Sequence, residues 1–250
     1  MLIFSTHLNT CTCMSYCLRE VKLLKKIRIS ILIVGVLFII ATFLTGCIAT
    51  DTVTYRVTFD ATWSAETHPD DFPPNPHFSG LIGATHKEKI SFWREGELAS
   101  NGIKNMAETG KKFPLNTEIG LCILDQTAFR LISGSGISTS PGSVNITFKT
   151  SKDFPFVTLV SMIAPSPDWF VGVDSLNLFE NGSFVDEKII TLYAYDAGTD
   201  SGYTYTSPDE PTNPPVPIFK IEDYPFIYDD EIVPLGTFTF TKIEETEEDY

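Results

Sequence analysis

Cysteine is nearly absent from the part of this chain that can build a core. Cys11, Cys13, Cys17 and Cys47 fall in the first 47 residues, and Cys122 alone remains beyond them. A single thiol excludes an intramolecular disulfide, so an exported domain of this composition needs another staple. Cys122 sits in the apolar run 119–124 and reads as a small buried core residue. Positive charge is scarce as well. Residues 47–250 hold 13 Lys and Arg against 31 Asp and Glu, a formal charge of −18. That balance repels nucleic acid and anionic membrane surfaces. It leaves many carboxylates to offer a divalent cation. Catalytic signatures are lacking too. There is no Gly-x-Ser-x-Gly elbow, P-loop, dinucleotide fingerprint or His-Glu-x-x-His pair. No internal repeat is present, and the chain is not read as an enzyme.

Long hydrophobic runs are limited to one. Residues 29–43 are almost wholly apolar, preceded by Lys22, Lys25, Lys26 and Arg28 and followed by Leu44-Thr45-Gly46-Cys47. The pattern reads as a secretory signal ending in a lipobox, with Cys47 as the lipidated first residue. The alternative is a membrane-spanning anchor, for which a run of about 17 residues is at the lower limit. Met14 is an alternative start to Met1. The expected organisation is a removed signal over 1–46, a lipid-anchored linker over 47–52, one domain over 53–243 and an acidic tail over 244–250. Ile48 follows Cys47 where Asp often marks inner-membrane retention, which in a Gram-negative cell directs the protein to the outer membrane. The membrane, through the lipid on Cys47, is therefore one expected partner.

What is present is β-rich. Residues 53–59 alternate and are rich in β-branched and aromatic side chains, as a half-buried strand requires. Similar patterns predict strands over 117–124, 143–150, 154–164, 189–195 and 234–243. Asn181-Gly182 predicts a type I′ hairpin turn, because both residues tolerate positive φ. Residues 93–108 carry the one helical pattern, with Gly110 as its cap. Residues 66–79, 133–143 and 207–217 read as Pro- or Gly-rich loops, the last with five prolines. Short strands, one short helix and long loops together predict an all-β, antiparallel β-sandwich.

The densest set of oxygen ligands is Asp196-Ala197-Gly198-Thr199-Asp200-Ser201-Gly202. Calcium takes six to eight oxygens, largely from carboxylates and carbonyls. Two aspartates four residues apart around a glycine turn can aim at one point, and Asp168 in Pro165-Ser166-Pro167-Asp168-Trp169 supplies a third. The competing reading is three solvated turn aspartates, since Asp favours turns. His68 and His86 are the other candidates. With Glu66 they would serve a metal-dependent hydrolase of envelope or extracellular polymers, or else they are structural hydrogen-bonding residues. Trp93 reads as core with Arg94 in a local ion pair. Trp169 and Phe170, beside Asp168, read as core packing or as ligand contacts.

Several strings in order resemble the spondin N-terminal domain family. They include Tyr55-Arg56-Val57-Thr58-Phe59, Thr67-His68-Pro69, Ile82-Gly83-Ala84-Thr85-His86, Trp93-Arg94-Glu95-Gly96-Glu97-Leu98, Pro165-Ser166-Pro167-Asp168-Trp169 and the Asp196–Gly202 loop. The similarity runs from about Val53 to Ile221. It implies a C2-like β-sandwich with a calcium ion (Ca2+) at one loop end, held by Asp168, Asp196 and Asp200. Members with further extracellular modules carry cysteines that this domain lacks, so their matrix roles are not implied. The expected function is that of a lipid-anchored, extracytoplasmic calcium-binding module for adhesion to a protein or glycan.

Overall fold

Strand β1 (Thr52–Ala61) shows how the sequence becomes a sandwich. Its inward side chains Tyr55, Val57 and Phe59 are fully buried, while Arg56 and Asp60 face out. That is the period of two imposed by a pleated strand with one face on a core. The computed structural model describes residues 52–244. The signal segment, Cys47 and residues 245–250 lie outside the described residues.

Further strands follow in order: β2 (His77–Phe78), β3 (Ile82–His86), β4 (Ala128–Ser133), β5 (Gly142–Ser151), β6 (Phe156–Ala164) and β7 (Trp169–Asn177). Next come β8 (Phe179–Glu180), β9 (Ser183–Phe184), β10 (Glu187–Leu192), β11 (Tyr195–Asp196), β12 (Phe219–Lys220), β13 (Ile227–Tyr228), β14 (Glu231–Ile232) and β15 (Gly236–Ile243). One sheet runs β10-β15-β1-β5. The second runs β12-β11-β7-β6-β3-β4, with β2 also on β6. The pairings are antiparallel. An all-β antiparallel sandwich is therefore what the chain forms.

Between the sheets lies a core rich in aromatics, including Trp63, Phe78, Phe238 and Phe240. Phe59 meets Phe78 and Phe238 edge-on at 4.8 and 5.1 Å. Burying each such ring is worth roughly 2–3 kcal/mol. A second core, with Ile103, Met106, Phe170 and Trp93, fills the outer side of the second sheet under two helices.

Those helices are α1 (Asn101–Thr109) and α2 (Leu115–Leu124). The single-helix expectation is corrected on both. α1 begins eight residues later than the pattern indicated, because Gly96 takes φ 85° and Ser100 then caps the helix by accepting from the Ile103 amide at 3.2 Å. Gly110 ends it at φ 68°, as expected. Residues 117–124, expected as a strand, are helical. A short apolar run fits either state, and here tertiary contact decides. Glu118 of α2 accepts from the Gly102 amide at 2.8 Å and from the Ser100 hydroxyl at 2.7 Å, closing the start of α1. Gly102 is obligatory at this crossing, since a Cβ there would stand 2.7 Å from the Leu115 Cα. Cys122 is partly buried on α2 and flanks the second core, rather than being enclosed in it.

The strand expected over 189–195 is split. β10 belongs to the first sheet and β11 to the second. The switch is marked by two exchanged hydrogen bonds: Leu192 accepts from the Leu235 amide and Ala194 from the Ile221 amide. This crossing carries Asp196 from one sheet to the other and pairs it with Trp169. The Asn181-Gly182 turn and the strands over 143–150 and 154–164 stand close to their expected places.

Candidate metal centre at one end of the sandwich

Asp168 is delivered by the turn that joins β6 to β7. The Ser166 hydroxyl accepts from the Trp169 amide at 3.1 Å and fixes that turn. Asp168 is completely buried. Its Oδ2 accepts three hydrogen bonds, from the Thr199 amide (2.7 Å), the Thr199 hydroxyl (3.1 Å) and the Asp200 amide (3.0 Å). Its Oδ1 is equally enclosed and has no hydrogen-bond partner. A buried carboxylate oxygen without a donor is costly, on the order of 1–3 kcal/mol or more for a charged group.

Asp196 and Asp200 each fold back on the glycine two residues on. Asp196 Oδ1 accepts from the Gly198 amide at 2.7 Å, and Asp200 Oδ1 from the Gly202 amide at 2.8 Å. Asp196 Oδ2 accepts from the Trp169 indole at 3.2 Å, and Asp200 Oδ2 from the Glu210 amide at 2.9 Å. The proline-rich segment straps the loop down, with the Val216 amide donating to Gly198 and the Thr212 amide to Thr199. Gly198 has φ 74°, and a Cβ there would meet the Val216 carbonyl oxygen at 2.0 Å. Only glycine serves there.

The electrostatics are those of crowded like charges. Burial, and then the Asp168 charge, push the Asp196 carboxyl up to about 7. Burial pushes Asp168 up to about 6 against the pull of its three donors, and Asp200 adds to the rise. The three carboxylates are neighbours but not a closed ligand shell. Among the described residues no three His, Cys, Asp or Glu side chains converge tightly enough to enclose an ion. The donors already on each carboxylate account for this, because repelling anions turn their oxygens to backbone amides. The residues nonetheless fit a hard cation: all three offer oxygen, they repel one another, and Asp168 Oδ1 is buried without a hydrogen-bond partner.

A cleft of about 310 Å³ opens beside this loop, lined by Trp169, Asp196, Asp200, Tyr203, Phe219 and Tyr224 among others. Tyr203 and Tyr224 stack at its edge with ring centres 5.2 Å apart. Trp169 is mainly core, packed on Tyr205 and Phe226 at 5.2 Å each, and Phe170 is wholly core. Sequence reasoning missed two participants. Thr199 gives two of the three donors on Asp168, and its place inside the loop motif was the available signal. The Tyr203–Tyr224 pair had none, since its members are 21 positions apart.

The two histidines are not brought together. His68 lies at the Ala61 end of the sandwich, where one ring nitrogen meets the Thr67 hydroxyl at 2.9 Å and the other the Val233 carbonyl at 3.3 Å. His86 lies on β3 opposite Phe156, at the other end of the second sheet from Ala164. Its Nδ1 donates to the Lys87 carbonyl and its Nε2 accepts from the Thr158 hydroxyl, each at 2.8 Å. Glu66 is exposed, and its carboxyl is held below its usual range by the Ser64 hydroxyl. Arg94 pairs with Asp174 and Glu97 as expected, and Trp93 is buried.

Comparison with known proteins identifies the domain. The Spondin_N family model matches residues 53–228. Spondin-2 of Rattus norvegicus is 36% identical over 172 residues, covering 67% of this chain and 52% of that protein. Spondin-2 of Homo sapiens is 36% identical over 174 residues with the same coverage. Spondin-1 of Gallus gallus is 34% identical over 176 residues, covering 67% of this chain and 22% of its own length. The chain thus spans about half the length of these spondin-2 relatives. A match of this extent across the sandwich and its loop end places the chain in the spondin N-terminal domain family.

Proposed function

We propose that this protein is an extracytoplasmic calcium-binding module, tethered to a membrane through lipid on Cys47, that adheres to an envelope or extracellular protein or glycan. The observation that carries the reading is the unpartnered Oδ1 of Asp168, enclosed beside Asp196 and Asp200, with the Asp168 and Asp196 carboxyls both held above the ordinary range by burial and neighbouring charge. A divalent cation relieves both defects at once. Asp168, Asp196 and Asp200 would hold it, and its role would be to neutralise the carboxylates and pin the loops that close this end. In a domain with a single cysteine, that pin takes the place of a disulfide.

The reading is a binder, not a hydrolase. The histidines a hydrolase would need stand at opposite ends, each with both ring nitrogens engaged. The cleft beside the carboxylates, with its stacked tyrosines, is the surface to which a protein or glycan would come. The deciding experiment is calorimetric titration of calcium into chelator-treated protein. A single site that disappears in Asp168→Asn supports the assignment, and absence of binding heat together with an unchanged melting curve removes it. The anchor is tested separately. Cys47→Ser should move the protein from the detergent-rich to the aqueous phase on detergent partition, and a variant that stays behind rejects lipidation.

A further inference from the structure

The two ends of the sandwich differ in chemistry. Residues 195–231, which build the carboxylate end, contain nine Asp and Glu and one Lys. The opposite end is where β1 begins, and there Thr52 pairs with Ser151. A continuous set of contacts leads from that point to the end of α2. Ser151 bridges to Phe154. Phe154 stacks on Phe129 at 5.4 Å. Lys87 sits 5.1 Å above the Phe154 ring, and Arg130 4.5 Å above Phe129. The Lys87 amide donates to the Thr127 carbonyl, and the Thr127 amide donates to Cys122 of α2. α2 then presents Leu121 and Leu124 outward, 58% and 79% exposed, on one face three residues apart. Among the described residues, Glu88, Asp125, Asp153, Glu180, Asp186, Glu187 and Glu244 share this end with Lys87, Lys89, Arg130, Lys149, Lys152, Lys188 and Lys242, so acids and bases are equal in number there.

We infer that this end, through Leu121, Leu124, Phe129, Phe154, Lys87 and Arg130, rests on the membrane surface. The occupant follows from where the chain enters. Residues 48–51 separate Cys47 from Thr52, so covalent reach is at most about 17 Å. A lipidated Cys47 therefore delivers a bilayer to this end, since that reach is about half the length of β1. Exposed leucines beside phenylalanines and cations are the composition that partitions into a headgroup layer, apolar groups inward and cations to phosphate. β1 then separates the surface from the acidic end by ten residues, about 33 Å, which keeps the carboxylate cluster clear of anionic lipid. The inference rests on the membrane-tethered reading above.

The test uses the full chain in vesicles of phosphatidylcholine and phosphatidylglycerol, with a photo-crosslinking side chain placed at Leu124 or, in a second preparation, at Tyr203. The expected result is lipid adducts from position 124 at least ten times more abundant than from position 203. Replacing phosphatidylglycerol by phosphatidylcholine, or introducing Lys87→Glu, should lower the adduct severalfold. Protein that floats with the vesicles but gives no lipid adduct at position 124 overturns the docking and leaves the anchor standing. Protein–protein adducts there assign the patch to a second copy and overturn it equally. A chain that does not float at all removes anchor and docking together. Leu121 and Leu124 are solvent-facing, so Leu121→Ser with Leu124→Ser should fold normally and lose the adduct from a crosslinker placed at Phe129.

Discussion

Two regions of this molecule bury ionisable side chains, and they are finished to different degrees. The histidine pockets are complete in their hydrogen bonds. His68 and His86 are almost fully enclosed, and each ring has a donor on one nitrogen and an acceptor for the other. The aspartate end is incomplete. Asp168 is enclosed to the same degree, yet one of its oxygens faces nothing and its neighbours are carboxylates. Burial alone therefore does not distinguish the two regions. Hydrogen bonding does: Asp168 Oδ1 is the one carboxylate oxygen among the described buried side-chain atoms without a partner, the others being the Trp63 and Trp93 indoles and the Ser151 and Tyr205 hydroxyls.

The comparison breaks most decisively if calcium acts on both regions or on neither. At a thousandfold excess over Kd, a ligand specific to the folded state adds about 4 kcal/mol. For a domain of this size that is a rise in Tm of roughly 8–16 °C. Differential scanning calorimetry with calcium and with EDTA should show that shift in the native chain. Asp196→Asn should abolish most of it while leaving the calcium-free Tm unchanged or higher, since the substitution removes a repelling charge. An equal shift in the variant would detach calcium from this loop.

Much of this contrast was readable in the sequence, and the unread part has physical causes. Asp168, Asp196 and Asp200 were visible because loop chemistry is local: carboxylates, glycines and prolines at close spacing. The alternation at 53–59 and 143–150 was visible because one face of each strand is buried. Residues 117–124 were misread because α2 is apolar on nearly all sides, including the exposed Leu121 and Leu124, so no period was there to detect. The sheet switch between Leu192 and Tyr195 was invisible because both flanking segments have strand composition. The unpartnered Asp168 oxygen depends on three donors from a loop about 30 positions away, which no single-sequence pattern encodes.

Acidity sharpens the comparison, because the two regions pull stability in opposite directions. Asp168 and Asp196 have folded values of about 6 and about 7, above the ordinary carboxyl value of 3.8. The folded state therefore holds these protons more tightly, and their contribution is full below pH 3.8 and lost as pH rises through 6 and 7. Asp196 alone contributes on the order of 4 kcal/mol across that window, at about 1.4 kcal/mol per unit. Burial depresses His68 to about 4 from its ordinary 6.5. Its contribution is full above pH 6.5 and lost as pH falls towards 4, on the order of 3 kcal/mol. Burial depresses His86 as well, so urea unfolding of calcium-free protein from pH 4.5 to 7.5 should show the two aspartates and the two histidines largely cancelling. Asp196→Asn should then expose a steeper rise in stability with pH. A calcium-free stability that climbs equally steeply in both proteins would mean that the Asp196 carboxyl is not raised in the folded state.

A smaller effect isolates the histidine side. His68→Ala removes the partner of the Val233 carbonyl and opens a void beside Phe226, whose ring lies 6.0 Å from the imidazole. The expected cost is about 2–4 kcal/mol, with the calcium-induced shift in Tm unaltered. A His68→Ala protein that also loses its calcium response would join the two regions that the hydrogen bonds keep apart.

The finest test concerns His86. The Thr158 hydroxyl donates to His86 Nε2 and accepts from the Ser175 amide at 3.1 Å, so one oxygen completes two buried groups. Thr158→Val keeps the shape and strands both, at about 1–3 kcal/mol. Removing His86 as well, by His86→Phe, takes away one of the stranded groups. The double variant should therefore be less unstable than the sum of the two singles by about 1 kcal/mol, as a double-mutant cycle in urea would read it. Strict additivity would mean that the imidazole does not depend on Thr158. The pocket would then be as unfinished as the aspartate end, and the distinction between the two regions would fail at its closest contact.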